Sequence, residues 1–145
     1  MRTRKSWREK MDNPNLPKVV DIPPKMQKRL GTGTLLIPSP RDVERVIRDI
    51  PEGEIMTVAA IRKTLAATYA TNSACPLCTG MFVRLSAEAA EEQSREGQTP
   101  IVPYWRVVKD DGSLYPKFPG GIERQAARLR AEGRRIVKGR VGSVV

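Results

Sequence analysis

The chain has 145 residues, the length of one ordinary domain, and its 26 lysines and arginines against 16 acids give a net charge of +10. It has no histidine, which excludes a histidine-dependent catalytic triad, a histidine metal site and a histidine proton relay in this chain. No run approaches the ~20 apolar residues of a membrane span, and the basic start lacks the apolar stretch of a secretory signal.

Residues 1–38 are rich in proline and lysine, and residues 1–30 alone carry a net charge of +6. This composition predicts an extended or poorly ordered basic N-terminal arm, with a short apolar docking stretch at Val19, Val20 and Ile22. Trp7 is unusual in such a segment. We expect it to cover apolar surface, and stacking on a base is the alternative.

Two helices are predicted between residues 39 and 70. Ser39 is a good cap for the first helix, Pro40 suits its first position, and apolar residues recur at helical spacing as far as Ile50. Thr57 predicts the cap of a second, shorter helix.

A third helix is predicted to begin at Cys75 and Pro76 and to run towards Gly97. Its apolar residues are Leu77, Met81, Phe82, Leu85 and Ala89. Two helices joined by a short turn are typical of a helix-turn-helix, in which the third helix of this chain would lie on DNA.

The chain changes character after residue 100. Residues 105–108 predict a strand, residues 110–112 a turn, residues 114–118 a returning strand, and residues 122–132 a last helix that Gly133 stops. We therefore predict an α+β, mainly helical fold, a winged helix-turn-helix domain with a short β-ribbon. It spans residues 39–133, between the basic arm 1–38 and a basic tail 134–145.

One stretch carries more specific information. Residues 99–121 read TPIVPYWRVVKDDGSLYPKFPGG and are followed by IERQAARLRAEG. This resembles the C-terminal domain of the alkylguanine-DNA alkyltransferase family, whose pattern is Pro-Cys-His-Arg-Val-Val, a short Asp/Gly turn, an aromatic before Gly-Gly, and a helix ending in Glu-Gly. The resemblance covers about residues 40–133 and implies the fold and DNA binding of that family.

The residues that carry out the family's chemistry are replaced. In the family the cysteine accepts the alkyl group, and the adjacent histidine, supported by a glutamate, activates it. Here Tyr104 occupies the cysteine position and Trp105 the histidine position. A phenol of pKa ~10 without a neighbouring base is a poor nucleophile, so we expect no enzymatic activity, and we expect Glu132 to have lost the partner it supports. Alkyltransferase-like relatives without the cysteine still bind alkylated DNA.

The resemblance also implies a base-flipping site. The family tyrosine that flips the base follows the residue matching Thr57, and Val58 stands there. Val58, Tyr104, Trp105, Phe118 and Glu132 would line the degenerate pocket. Arg84 falls at or near the arginine that fills the gap left by the flipped base, and Gly80 would let the helix approach DNA closely.

Several of these residues have a structural alternative. Arg84 is equally a solvated helix residue, Tyr104 and Trp105 favour a core or pocket-wall role over ligand contact, and Arg106 is a DNA contact or a link between strand and helix. Acidic residues on the third helix, Glu88, Glu91 and Glu92, would repel phosphate.

The two cysteines, Cys75 and Cys78, lie too close together to staple a fold. They indicate a reduced, cytoplasmic protein. A structural zinc needs four ligands, so two thiols without histidine predict no metal and no cofactor. We expect both to be structural, with a reactive or redox pair as the alternative.

The leading hypothesis is a monomeric, non-enzymatic protein that binds double-stranded DNA, with its basic ends on phosphates and with altered bases as a possible target. A membrane partner is not expected. One rival is an enzyme that accepts an alkyl group or performs redox chemistry on Cys75 or Cys78. Another is a protein-interaction module on the same fold.

Overall fold

A computed structural model describes residues 5–142. In the N-terminal segment it contains two one-turn helices, a 3-10 turn and two strands: α1 (Trp7–Lys10), β1 (Lys18–Asp21), the turn Pro24–Met26, α2 (Gln27–Leu30) and β2 (Thr34–Ile37). β1 pairs antiparallel with β2. Residues 5–38 are therefore folded, whereas the sequence predicted an extended or poorly ordered arm; residues 1–4 lie outside the described part.

The apolar stretch in this segment divides between surface and core. Ile22 is buried against Leu35 and Cys75, whereas Val19 and Val20 are 51% and 36% exposed on the edge strand. Of the predicted docking residues, only Ile22 is buried. Trp7 is half-buried in α1, with the Lys10 ammonium 4.3 Å from its ring centroid.

Three helices form the centre of the molecule, as the sequence predicted: α3 (Pro40–Arg48), α4 (Val58–Thr68) and α5 (Pro76–Arg95). Ser39 caps α3 with a complete capping box, since its hydroxyl accepts from the Asp42 amide at 3.1 Å and the Asp42 carboxylate accepts from the Ser39 amide at 2.9 Å. Thr57 caps α4 through its hydroxyl alone, which accepts from the Ala60 amide at 3.1 Å.

The predicted β-ribbon is wrong. Residues Tyr104–Arg106 form a 3-10 turn, and only Val107–Val108 form a strand, β5. β5 pairs in parallel with β3 (Met56–Thr57), and residues 114–118, all within the described part, contain no strand. The backbone turns back where the Lys109 amide donates to the Ser113 carbonyl, and the Leu114 amide then donates to Gly139 instead of to β5.

The remaining elements complete the two ends of the domain. β4 (Ser73–Ala74) pairs in parallel with β2 and closes a three-stranded sheet in the order β1-β2-β4. The last helix is α6 (Gly121–Ala131), and β6 (Ile136–Val137) pairs antiparallel with β7 (Arg140–Val141) as a small hairpin. The predicted basic tail is thus a hairpin as far as the described residues extend.

The main core lies between α3, α4 and α5 and includes Tyr104, Val107 and Phe118 from the second half of the chain. None of the helices in residues 5–142 is long and apolar enough to cross a membrane.

Candidate nucleic-acid interface

The first part of α5 presents a solvent-facing surface beside the chain between β5 and α6. Leu77, Gly80, Met81 and Arg84 recur there at intervals of three and four residues, so they share one side of the helix, called here the α5 face. Leu77 is 72% exposed and Met81 57% exposed. Both side chains therefore face solvent, and the buried side of this turn carries Thr79 and Val83.

A cavity of about 340 Å³ lies between the α5 face and the loop before α6. Tyr115 and Phe118 form its other wall, with their rings stacked 4.3 Å apart between centroids. Lys117 and Arg84 provide its charged groups, and no carboxylate lines it among the described residues. The cavity is therefore apolar with a cationic rim.

Tyr104 does not reach this cavity. Its side chain is 1% exposed and makes edge contacts with Trp105 and Phe118, at 5.4 and 5.3 Å between ring centroids. The phenol donates a hydrogen bond to Glu91 Oε1 at 2.7 Å. Burial, followed by this hydrogen bond, raises the pKa of Tyr104 well above its usual value. Tyr104 is thus a packed, protonated phenol.

Glu91 is a buried carboxylate at the centre of an ion-pair cluster. It is 3% exposed on α5 and accepts from Arg124 at 3.0 Å and from Arg128 at 2.8 Å, both on α6. Glu92 is also engaged, since it accepts from the backbone amides of Trp7 and Arg8. Two of the three acids that the sequence expected to repel phosphate are therefore neutralised by neighbouring segments.

Trp105 and Glu132 interact directly. The indole Nε1 donates to Glu132 Oε2 at 3.1 Å, and the Arg128 guanidinium lies 4.4 Å from the indole centroid. Glu132, which the sequence predicts to have lost the histidine it supports in the family, thus accepts a hydrogen bond from the indole N–H of Trp105.

The Arg106 side chain is bound by other groups of the fold. It forms an ion pair with Glu132 at 2.6 Å and donates to the Ile50 carbonyl at 2.7 Å, which joins the 3-10 turn to the ends of α6 and α3. Burial raises the pKa of Glu132, but the hydrogen bonds from Arg106 and Trp105 outweigh it and lower that pKa below its usual value. These contacts favour the linking role of Arg106 over DNA contact.

Thr57 and Val58 lie at the start of α4. The Thr57 hydroxyl caps the helix by accepting from the Ala60 amide. The backbone amide of Ala59, also in the first turn, donates to the Asp110 carboxylate at 2.9 Å. Val58 is half-buried and packs against the main core with Tyr104 and Phe118. Of the five predicted pocket residues, Val58 and Tyr104 are packed against or within the main core and line neither of the cavities that the other three border. Phe118 borders the cavity beside the α5 face, and Trp105 and Glu132 line a separate open cavity of about 620 Å³.

Cys75 and Cys78 are free thiols at the start of α5. The Cys75 sulfur caps the helix by accepting from the Cys78 amide at 3.5 Å. Burial, followed by the hydrogen bond with Cys75, raises the pKa of Cys78 to about 11. In residues 5–142 no group of three or more acidic, cysteine or histidine side chains is arranged to hold a metal ion.

Comparison with known proteins gives one match. Residues 38–134 match the family model described as 6-O-methylguanine DNA methyltransferase, DNA binding domain. No curated protein and no solved structure matches the chain. The matched range begins just before α3 and ends after α6, so it contains the α5 face, the cavity and the cluster around Glu91.

Proposed function

Since the chain belongs to the 6-O-methylguanine DNA methyltransferase family through that family's DNA-binding domain, we propose that it binds double-stranded DNA without accepting an alkyl group. In this proposal α4 and α5 act as a helix-turn-helix, and the α5 face lies against the duplex. The observation that carries the proposal is that this face combines exposed Leu77 and Met81 with Arg84, and that Lys117 lies across the adjacent cavity. Neither cation has an ion-pair partner among the described residues.

Phosphate attraction supports the proposal. Many arginines of the described chain are held in ion pairs with acids, such as Arg41 with Asp12 and Arg48 with Glu44. Arg84 and Lys117 are exposed and free to approach phosphates, on the same side of the molecule as the α5 face. Neutralising phosphates releases condensed counterions and favours binding at low salt.

The non-enzymatic part of the proposal is supported by the chemistry at residues 104 and 105. A nucleophile must be exposed to its substrate and deprotonated or next to a base. Tyr104 is 1% exposed, and Glu91, the acceptor of its proton, is already held by two arginines. Opening this cluster would expose a buried carboxylate, so alkyl transfer to the phenol is unfavourable.

Recognition of altered bases is a finer part of the proposal, supported by the cavity beside the α5 face. Its stacked aromatic wall, Tyr115 and Phe118, is suited to a flat, apolar group, and a base leaves the stack at least cost when it is damaged or mismatched. We expect tighter binding to a duplex containing O6-methylguanine than to the unmodified duplex.

The alternative function, in which Cys75 or Cys78 accepts the alkyl group, is less consistent with the environments of the two thiols. Cys75 is buried and caps α5, and the raised pKa of Cys78 keeps it in the unreactive thiol form at neutral pH.

One experiment tests both parts of the proposal. The protein is incubated with O6-methylguanine duplex, binding is measured by fluorescence anisotropy, and the intact protein mass is recorded afterwards. We expect saturable binding and an unchanged mass. A stable gain of one methyl group would establish alkyl transfer, and absence of binding at low salt would reject DNA binding.

A further inference from the structure

Leu77 and Met81 are the two most exposed large apolar side chains in residues 5–142. They lie one turn apart on α5 and form what is called here the apolar pair. Water around such side chains is unfavourable, and adjacent exposed apolar residues on a folded domain commonly mark a surface that binds something.

Gly80 lies between the two members of the apolar pair on the same face. A Cβ built on it would meet nothing within 4 Å, and its φ is not positive, so the fold itself does not require glycine there. Glycine in a helix interior costs about 0.5–1 kcal/mol relative to alanine. A partner that approaches the helix backbone closely at this position is a physical reason for a residue without a side chain.

The surroundings of the apolar pair indicate which partner approaches. Arg84 follows Met81 by one turn of α5, and Lys117 lines the same cavity from the loop before α6, so two cations accompany the apolar pair at one cavity. A duplex offers both complementary groups, an apolar stack of bases and the phosphates beside it. Leucine and methionine are among the side chains that proteins insert between base steps.

We propose that the apolar pair inserts between stacked bases of the duplex and unstacks one base step, while Arg84 and Lys117 contact the flanking phosphates. This rests on the proposed function and assigns the inserted group to Leu77 and Met81 at the first two turns of α5, and not to Arg84. Leu77 stands farthest out and leads the insertion.

The test uses a duplex with 2-aminopurine, whose fluorescence rises when it is unstacked. The wild-type protein raises the fluorescence on binding. Leu77→Ala removes an exposed side chain and favours the helix. We expect this variant to bind the duplex about tenfold more weakly and to lose the fluorescence rise. Its affinity should keep the salt dependence of the wild type, because the substitution removes no charge. Met81→Ala changes in the same direction. Val137→Ala, which shortens an exposed apolar residue on the C-terminal hairpin and away from α5, keeps the full fluorescence rise.

The outcomes separate the insertion from DNA binding itself. Full affinity or an unchanged fluorescence rise in Leu77→Ala overturns the insertion and leaves the proposed function standing, as does wild-type binding without any rise. Self-association of the wild type that Leu77→Ala abolishes, with DNA binding unaffected, would also overturn it. A wild type that binds no duplex rejects the proposed function and the insertion together.

Discussion

Tyr104 and Trp105 each have a hydrogen-bond partner that stabilises the fold. Tyr104 donates to Glu91 and Trp105 donates to Glu132, and each carboxylate is also paired with arginine. A buried carboxylate is tolerated only when it is paired and hydrogen-bonded. The two aromatic residues therefore take part in cross-links between α5, the 3-10 turn and α6.

Glu132 gives a prediction about pH. Its lowered pKa means that the ionised form stabilises the folded state; this stability is fully present above the unfolded pKa of ~4.3 and is lost as pH falls through the lower folded pKa. Glu132→Gln leaves Arg106 unpaired in a partly buried site and should cost about 3 kcal/mol of unfolding free energy at pH 7.

Urea denaturation at several pH values measures this effect. The difference between wild type and Glu132→Gln should shrink below pH ~4 and stay constant near neutrality. Glu123→Gln, which changes an exposed carboxylate of the same helix, serves as the control and should show little difference. A gap for Glu132→Gln that does not vary with pH would contradict the role of its ionised form.

At the scale of elements, α5 has two unlike sides. Its inner side packs Val83, Ala87 and Ala90 into the main core, while its outer side presents the α5 face. If the α5 face binds DNA as proposed, helix stability and DNA contact depend on different residues of one helix.

Gly80→Ala separates the two sides. It should raise the free energy of unfolding by about 0.5–1 kcal/mol, because alanine favours the helix and its Cβ meets open space. It should also weaken duplex binding, because the added methyl group stands where DNA approaches. Thermal unfolding and anisotropy titration of the same sample measure both, and stability and affinity that rise together would contradict the placement of DNA on this face.

The sequence predicts the central helices well because their start signals are local. Ser39, Thr57 and Cys75 each cap a helix within three residues, so spacing alone identifies them. The strand pairs were missed, since β3 and β5 are two residues long and pair across about fifty residues of chain.

For the candidate site, too, the sequence shows local motifs but not contacts between distant residues. The motif at residues 103–108 singled out Tyr104 and Trp105, and the Glu-Gly pair at the end of the last helix singled out Glu132, but their burial depends on distant partners. Glu91 looks like a solvated acid in the sequence, whereas Arg124 and Arg128, one turn apart on α6, cover it. Leu77 and Met81 fit a helical apolar pattern, and only the packing shows that they face outwards.

At the scale of the whole molecule, the net charge of a sequence segment does not show which of its cations are free of ion pairs and able to contact DNA. The C-terminal residues 122–145 carry a net charge of +5, yet Arg124 and Arg128 are held by Glu91. Arg84 is exposed and unpaired among the described residues, although it belongs to residues 31–100, which carry a net charge of −2. We therefore expect the α5 face to contribute to DNA binding alongside the basic ends that the sequence favoured.

The most direct test is duplex affinity measured by anisotropy over a range of salt concentrations, for the wild type, Arg84→Ala and the control Arg95→Ala, an exposed arginine three turns further along α5. The logarithm of the wild-type association constant should fall linearly with the logarithm of salt concentration, and Arg84→Ala should reduce the slope by about 1 while Arg95→Ala leaves it unchanged. Wild-type affinity that ignores salt, or equal slopes for all three proteins, would contradict binding through the α5 face.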